Sequence, residues 1–456
     1  MTFGAQALGP QTDRPWGLRK YTRYFASYEA REAAFARQIA ALVPPKHAGP
    51  QVFWRDFGRI RGADLSPRAD SRHLAIGSNP RECLAFGTPR QVLRAAHLQL
   101  GSGRDRGDAP DIEATARQFH ILDTLDQPLR TLSGGETLKL CCAKVFMAAR
   151  QATGLTIASP FCWLSHESTG LLTDLVNHCQ ERAIPVALLA LEGEDSRGAV
   201  EPAALPKALR PVRLPFELQL AGVRISLGTV LNTLKARPAV AGVDDFSARL
   251  DSPCLLVGAN GQGKSLVARV LARAVACHGT ASLDRGRGPE SGRLLFQDVL
   301  NQTLLRPFPV LAAADGQPAR TLSLFGRIGQ LCRRYCSARG VALPAGAFQG
   351  QAPFRSLLET KALLAAARLG RTPGALILDE PDWGLTRETA IALVAAITRV
   401  AHDHGTPIVL ISHKPWWPPF CASVVAVSRS RHSPPGRSAE AFRVSLALSG
   451  QTGAHP

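Results

Sequence analysis

Short apolar runs alternate with helical stretches along most of this chain. Three of the runs, at residues 254–257, 376–378 and 408–411, have the length of buried strands. Apolar residues at helical spacing, including Leu266 and Val270, follow the first run. Strands that alternate with helices are typical of parallel sheets covered by helices. The pattern therefore predicts an α/β fold.

The same pattern divides the chain into two lobes and three shorter segments. A helical pattern over residues 21–42 stops at a proline pair, and a proline- and charge-rich stretch separates two regions of alternating runs. We expect an N-terminal helical segment, a first α/β lobe, a linker, a second α/β lobe and a C-terminal tail. Their predicted bounds are, in that order, 1–48, 49–195, 196–215, 216–429 and 430–456.

A length of 456 residues exceeds what one ordinary domain core accommodates, which agrees with two lobes. No apolar run approaches the roughly 18 to 20 residues that a membrane-spanning helix needs. The first residues lack the basic and apolar pattern of a secretory signal. The ten cysteines form no C-x-x-C pair, which favours reduced thiols over a metal or redox site. We expect a cytoplasmic protein, with a peripheral position at the inner face of a membrane as an alternative.

The charge balance is strongly basic, with a formal net charge of +18. Such a charge often indicates a nucleic-acid or anionic-surface partner. Here only nine of the 54 basic residues are lysine, and this arginine excess beside many alanines, glycines and prolines is typical of a GC-rich genome. A nucleic-acid partner therefore stays an alternative rather than the first expectation.

A glycine-rich loop carries the first sign of chemistry. Residues 258–265 fit the pattern G-x-x-x-x-G-K-[ST] in full, between an apolar strand and an apolar-spaced helix. Glycines let backbone N–H groups wrap around phosphates, and the helix N-terminus adds partial positive charge. A glycine turn that binds nothing is the alternative. The predicted phosphate-binding residues are Gly258, Asn260, Gly261, Gly263, Lys264 and Ser265, and Ser265 is also a predicted Mg²⁺ ligand.

An acidic pair, Asp379 and Glu380, follows the apolar run at residues 376–378. The carboxyl ends of parallel strands are where open α/β sheets place their chemistry. Asp379 would hold Mg²⁺, and Glu380 would polarise an attacking water molecule. His413 ends the apolar run at residues 408–411 and is a candidate contact to a γ-phosphate. An acidic surface turn and a structural histidine are the alternatives.

A second motif lies in the first half of the chain. Leu132 is followed by Ser133, Gly134, Gly135 and Glu136, and then by an apolar helical pattern. At a helix start, the serine and the glycine N–H groups offer neutral donors to a phosphate. A capped helix start without a ligand is the alternative.

These motifs together resemble the ABC ATPase superfamily. In that family a phosphate loop, a Gln loop, an LSGGE signature, an acidic strand and a switch histidine occur in this order. ATP is sandwiched between the phosphate loop of one domain and the signature of the other. By this resemblance Gln297 occupies the Gln loop and contacts Mg²⁺ and the attacking water. The resemblance implies ATP and Mg²⁺ as cofactors, ATP hydrolysis as the activity, and Glu380, His413 and Gln297 as catalytic residues.

Each lobe carries only part of the motif set. In the first lobe, Cys83 stands where the phosphate loop needs lysine, and Ala158 and Ser159 replace the acidic pair. In the second lobe, Leu357 and Leu358 replace the signature glycines. All losses therefore fall on one composite site and all intact motifs on the other. This partition predicts two P-loop lobes paired face to face as an intramolecular pseudo-dimer, with one site retained.

The sequence leaves three alternatives for the process that ATP hydrolysis would drive. The first expectation is an ATPase that energises a separate membrane transporter, with permease subunits as partners. The alternatives are a soluble mechanoenzyme that acts on a ribosome, RNA or DNA, and a slow ATP-controlled docking switch.

Overall fold

The computed structural model describes most of both lobes. The described residues are 18–40, 73–80, 84, 87–99, 111–129, 132–149, 152–164, 168–194, 205, 207–226, 240–258, 262–285, 292–295, 318–343, 347–348, 356–370, 374–414, 416–430 and 440–446.

The first lobe contains a four-stranded parallel sheet. Its strands are β1 (Thr22–Phe25), β2 (His73–Ile76), β3 (Gly154–Ala158) and β4 (Val186–Leu191), in the spatial order β1-β4-β3-β2. Each neighbouring pair is parallel, as the alternating pattern predicted. The helices of this lobe are α1 (Tyr28–Ala40), α2 (Pro89–Gln99), α3 (Ile112–Gln118), α4 (Gly134–Ala148) and α5 (Thr169–Gln180).

The start of the N-terminal segment differs from the prediction. Residues 21–42 were expected to be helical throughout, but Thr22–Phe25 form β1, which pairs in parallel with β4. A β-branched residue and two aromatic residues in this tetrapeptide favour a strand, and Phe25 is buried. The helix begins only at Tyr28, after the Ser27 hydroxyl accepts the N–H of Ala30. This segment therefore contributes an edge strand to the sheet of the first lobe.

The second lobe contains a ten-stranded mixed sheet. A parallel part has the order β10-β11-β12-β8-β13. It continues through β14, β6, β5 and β7, where every neighbouring pair is antiparallel except β14 with β6, and β9 pairs antiparallel with β5. The strands are β5 (Leu214–Ser226), β6 (Val240–Val243), β7 (Phe246–Ser252), β8 (Cys254–Val257), β9 (Cys277–Asp284), β10 (Arg293–Leu295), β11 (Leu376–Asp379), β12 (Ile408–Ile411), β13 (Ser423–Ser430) and β14 (Glu440–Leu446). The helices are α6 (Lys264–Leu271), α7 (Pro318–Ala338), α8 (Leu357–Gly370) and α9 (Arg387–Asp403).

The predicted C-terminal tail contributes to this sheet. Within the predicted tail, β14 forms over residues 440–446. It pairs antiparallel with β13 and parallel with β6. Phe442 and Val444 are buried because they point into the core of the second lobe.

The two lobes share a hydrophobic core. One cluster of buried side chains includes Leu140 and Leu188 from the first lobe and Leu363 and Leu378 from the second. A polar contact adds to it, because Lys414 Nζ donates to carbonyl oxygens of the first lobe. The predicted α/β fold with two lobes is confirmed. No helix in the described parts of the chain is long and apolar enough to cross a membrane.

The two lobes exchange a large and a small residue at equivalent positions. In the first lobe, a Cβ on Gly134 would lie 2.1 Å from the ring of Trp163. In the aligned positions of the second lobe, Leu357 replaces that glycine and Gly384 replaces that tryptophan. A Cβ on Gly384 would lie 2.4 Å from Leu357 Cδ2. The helix start and the loop after the acidic strand therefore stay in contact in both lobes, with the bulk on opposite sides.

We expect Gly134→Ala to destabilise the protein by about 1–3 kcal/mol, because the new methyl group overlaps the Trp163 ring. Gly170→Ala is the matched control, since no atom lies within 4 Å of a Cβ built there and alanine favours its helix. Urea unfolding of both variants measures the difference. Equal midpoints for the two variants would contradict the packing described above.

Candidate functional site

The phosphate loop connects β8 to α6. Gly263 is the N-cap of α6 and has a left-handed φ of 92°, and a Cβ there would lie 2.4 Å from the Phe442 ring. Glycine is therefore required both by the turn and by the close approach of β14. The predicted residues Asn260 and Gly261 lie outside the described residues, so their roles stay predictions.

Lys264, the first residue of α6, is 7% exposed, and its Nζ donates to the Gly258 carbonyl at 2.7 Å. Burial lowers the pKa of Lys264, and the charges of Glu380 and Asp379 oppose that shift. The lysine is thus held within the loop, beside the acidic pair.

The next residue of α6 joins the loop to the acidic strand. Ser265 Oγ donates to Asp379 Oδ1 at 3.2 Å. Burial, and then the charge of Glu380, raise the pKa of Asp379 to about 7. A hydroxyl and a carboxylate are hard oxygen ligands of the kind that Mg²⁺ takes beside a substrate phosphate. These two residues therefore fit a bound Mg²⁺. The third predicted ligand, Gln297, lies outside the described residues.

The second acidic residue pairs with the switch histidine. Glu380 Oε1 lies 3.0 Å from His413 Nδ1, and Glu380 has a positive φ of 46°. Burial alone would raise the pKa of Glu380, but His413, Lys264 and Lys414 together lower it. Glu380 is therefore held as a carboxylate at neutral pH.

Each partner of this pair keeps one buried polar atom without a hydrogen bond. Among the described residues, Glu380 Oε2 and His413 Nε2 have no partner. Buried polar atoms are normally satisfied, so two orphans side by side indicate a place for polar groups of a ligand or water. The pair lies at the carboxyl ends of β11 and β12, next to the phosphate loop.

The signature segment forms a capped helix start in the first lobe. Ser133 Oγ accepts the N–H of Glu136 at 3.2 Å, and Glu136 Oε2 accepts the N–H of Ser133 at 2.7 Å. This reciprocal box leaves the N–H groups of Gly134 and Gly135 as the remaining donors of the first turn. The counterpart of the signature in the second lobe has the same capping box, between Ser356 and Glu359. The capping box therefore does not distinguish the intact signature from the degenerate one.

The structure adds three residues that carry no sequence motif. Asp382 accepts hydrogen bonds from Ser412 Oγ at 3.0 Å and Trp417 Nε1 at 3.2 Å, which fixes the loop around His413. Lys414 Nζ donates to the carbonyl oxygens of Phe161 and Glu194, each at 3.0 Å. Glu194 in turn accepts backbone N–H groups of its own lobe. The only signal for Lys414 in the sequence is its position next to His413.

The parallel sheet, the phosphate loop and the acidic strand together define a P-loop nucleotide-binding protein. No protein-family model matches the chain. The aliphatic sulfonates import ATP-binding protein SsuB 1 of Xanthomonas axonopodis pv. citri (strain 306) is 28% identical over 212 residues, which cover 43% of this chain and 74% of that protein. SsuB 2 of the same organism is 29% identical over 170 residues, covering 36% of this chain and only about half, 53%, of that protein. The chain is thus similar to ABC-type ATP-binding proteins.

Two solved structures are similar to parts of this chain. The RNase-L inhibitor is 12% identical, with 82% of this chain and 74% of that chain covered, at a TM-score of 0.42. UvrA2 from Deinococcus radiodurans is 13% identical, with 74% and 57% covered, at a TM-score of 0.45.

We expect Asp379→Asn to stabilise the protein about two to three times as much at pH 8 as at pH 5, in EDTA and without nucleotide. The pKa of Asp379 rises from an ordinary 3.8 to about 7 in the fold, so the fold favours the neutral carboxyl. Ionisation therefore destabilises the folded chain progressively as pH rises from about 4 to 7. The gain at pH 8 has an upper bound of about 4 kcal/mol. Thermal melts at both pH values measure it, and an equal gain at pH 5 would count against this assignment.

Proposed function

We propose that this chain binds and hydrolyses MgATP at one composite site. The phosphate loop, acidic strand and switch histidine of the second lobe supply one side, and Ser133, Gly134 and Gly135 supply the other. The observation that carries the proposal is the buried Glu380–His413 pair with its two unpartnered atoms, close to Lys264. Closure of the lobes around ATP would be the mechanical output.

The phosphate side of this site works by charge and position. Lys264 would release the Gly258 carbonyl and turn its ammonium toward the β- and γ-phosphates. Ser265 and Asp379 would hold the metal ion, and their contact at 3.2 Å already sets them side by side. Bound Mg²⁺ supplies charge neutralisation on the phosphate oxygens. Asp379 would lose its proton on metal binding, because a carboxyl group binds a metal ion as the carboxylate.

The water side depends on the orientation of Glu380. A carboxylate can only accept a hydrogen bond, so the 3.0 Å contact requires the hydrogen on His413 Nδ1. Glu380 Oε2 is then left to accept a hydrogen from an attacking water. His413 Nε2 would donate to a phosphate oxygen only if the ring is doubly protonated. In that state His413 would bridge Glu380, which orients the water, and an oxygen of the phosphate.

The contribution of the first lobe is supported by contacts near the switch loop. Lys414 follows His413 directly and is bonded to two carbonyl oxygens of the first lobe. A shift of the first lobe would therefore pull on the segment that holds His413. The neutral donors of the signature turn would complete the site around the γ-phosphate.

The two sulfonate-import relatives favour a role in energising a separate membrane transporter. The net charge of +18 favours the second candidate, an ATPase that acts on an anionic macromolecule such as RNA. Co-purification with a multi-span membrane protein would support the first role. ATPase stimulation by RNA that fades steeply between about 50 and 200 mM salt would support the second.

We expect Glu380→Gln to lower steady-state ATP turnover by at least about 100-fold, because the glutamine cannot take a proton from water. ATP binding should persist, since Lys264 and the loop are unchanged. Phosphate release and equilibrium binding of a fluorescent ATP analogue measure the two effects. Turnover equal to that of the parent chain would exclude Glu380 from the reaction.

We expect Ser133→Ala and Ser133→Arg to lower ATP turnover by about tenfold or more, because Ser133 would face the γ-phosphate from the first lobe. Ser356→Ala is the matched control. It removes the same kind of helix cap, at a similar stability loss of about 1 kcal/mol, in the degenerate segment. Turnover that falls equally in Ser133→Ala and Ser356→Ala would point to loss of stability instead of a role at the phosphate.

A further inference from the structure

Helix α1 contacts the degenerate signature, residues 355–359, at the backbone N–H that would face a phosphate in an intact signature. The N–H of Leu357, the first residue of α8, donates to Glu29 Oε1 at 2.9 Å. Leu357 is the counterpart of Gly134, whose N–H group is a predicted phosphate donor on the intact side. A carboxylate of the same chain thus occupies the anion position at this helix N-terminus.

The same helix also contacts residues 77–84, which are the counterpart of the phosphate loop in the first lobe. Ser78, in the loop that follows β2, donates its hydroxyl to Glu32 Oε1. Both side chains are buried, at 4% and 7% exposed. Glu29 and Glu32 are three residues apart, so they lie on one face of α1. A single helix face therefore presents one carboxylate to each half of the degenerate site.

The buried negative charge of Glu32 lies next to a buried positive charge on the same helix. Arg31 is fully buried, and its Nε lies 3.2 Å from Glu32 Oε1 while its Nη1 lies 3.7 Å from Glu194 Oε2. Next to it, the Tyr28 ring packs at 5.8 Å from the Trp383 ring of the second lobe. Paired charges and an aromatic contact make α1 a fitted part of the interface.

We propose that α1 is a built-in occupant of the degenerate site, in which Glu29 and Glu32 take the place of nucleotide phosphates. This side of the molecule then stays closed without ATP. Opening and closing are restricted to the side that carries the phosphate loop and the intact signature. The inference goes beyond the proposed function and shares with it only the pairing of the lobes.

Hydrogen exchange of the full chain, followed by mass spectrometry of peptides that contain Leu357, tests this proposal. In the parent chain we expect the Leu357 amide to be protected without nucleotide, with less than a twofold change on adding MgATP. In Glu29→Ala the exchange should become at least tenfold faster, because the amide loses its acceptor. Glu181→Ala, which removes an exposed glutamate elsewhere in the first lobe, should change nothing at Leu357.

Two results would overturn the proposal. One is protection of Leu357 that develops only with MgATP, and the other is unchanged exchange in both Glu29→Ala and Glu32→Ala. If Glu32→Ala does not fold, Ser78→Ala removes the same contact from the other partner. The proposed function fails separately, by unchanged turnover in Glu380→Gln, whatever the exchange at Leu357.

Discussion

A buried lysine at the boundary of the lobes ties the hydrolytic site to the first lobe. Lys414 is 8% exposed and is bonded to the carbonyl oxygens of Phe161 and Glu194. A buried ammonium that lost these acceptors would be strongly destabilising, so the first lobe has to stay near this position. Since Lys414 is adjacent to His413, the geometry of the Glu380–His413 pair depends on where the first lobe lies.

The local elements of the second lobe could be predicted well, because they depend on short-range patterns. Gly263 and Lys264 lie at a strand-to-helix turn, and Asp379 and Glu380 end a buried strand, as expected. Each of these positions follows from glycine turns or apolar runs within a few residues. The chemistry assigned to them stays a prediction, as do the roles of Asn260, Gly261 and Gln297.

Long-range pairings could not be predicted in the same way. Strand β1 is formed by four residues whose strand pairing depends on β4, more than 160 positions later. Strand β14 likewise lies between β13 and β6, and β6 is almost 200 positions earlier in the chain. The acceptors of Lys414 are backbone carbonyls, which every residue has, so no sequence motif marks them. The contacts of the two α1 carboxylates could not be predicted either, because acidic residues are common on amphipathic helices.

Gly134 packs against Trp163 in the first lobe, and Leu357 packs against Gly384 at the equivalent positions of the second lobe. This difference limits which single substitutions the second lobe accommodates. A return of Leu357 to glycine would remove a leucine side chain that packs at Gly384, leaving a void whose cost is typically about 2–5 kcal/mol. A bulky residue at position 384 alone would overlap the leucine. Each step by itself would destabilise the second lobe, so a change to the Gly134–Trp163 arrangement requires both substitutions together. The packing therefore opposes single substitutions that would make the two lobes alike at these positions.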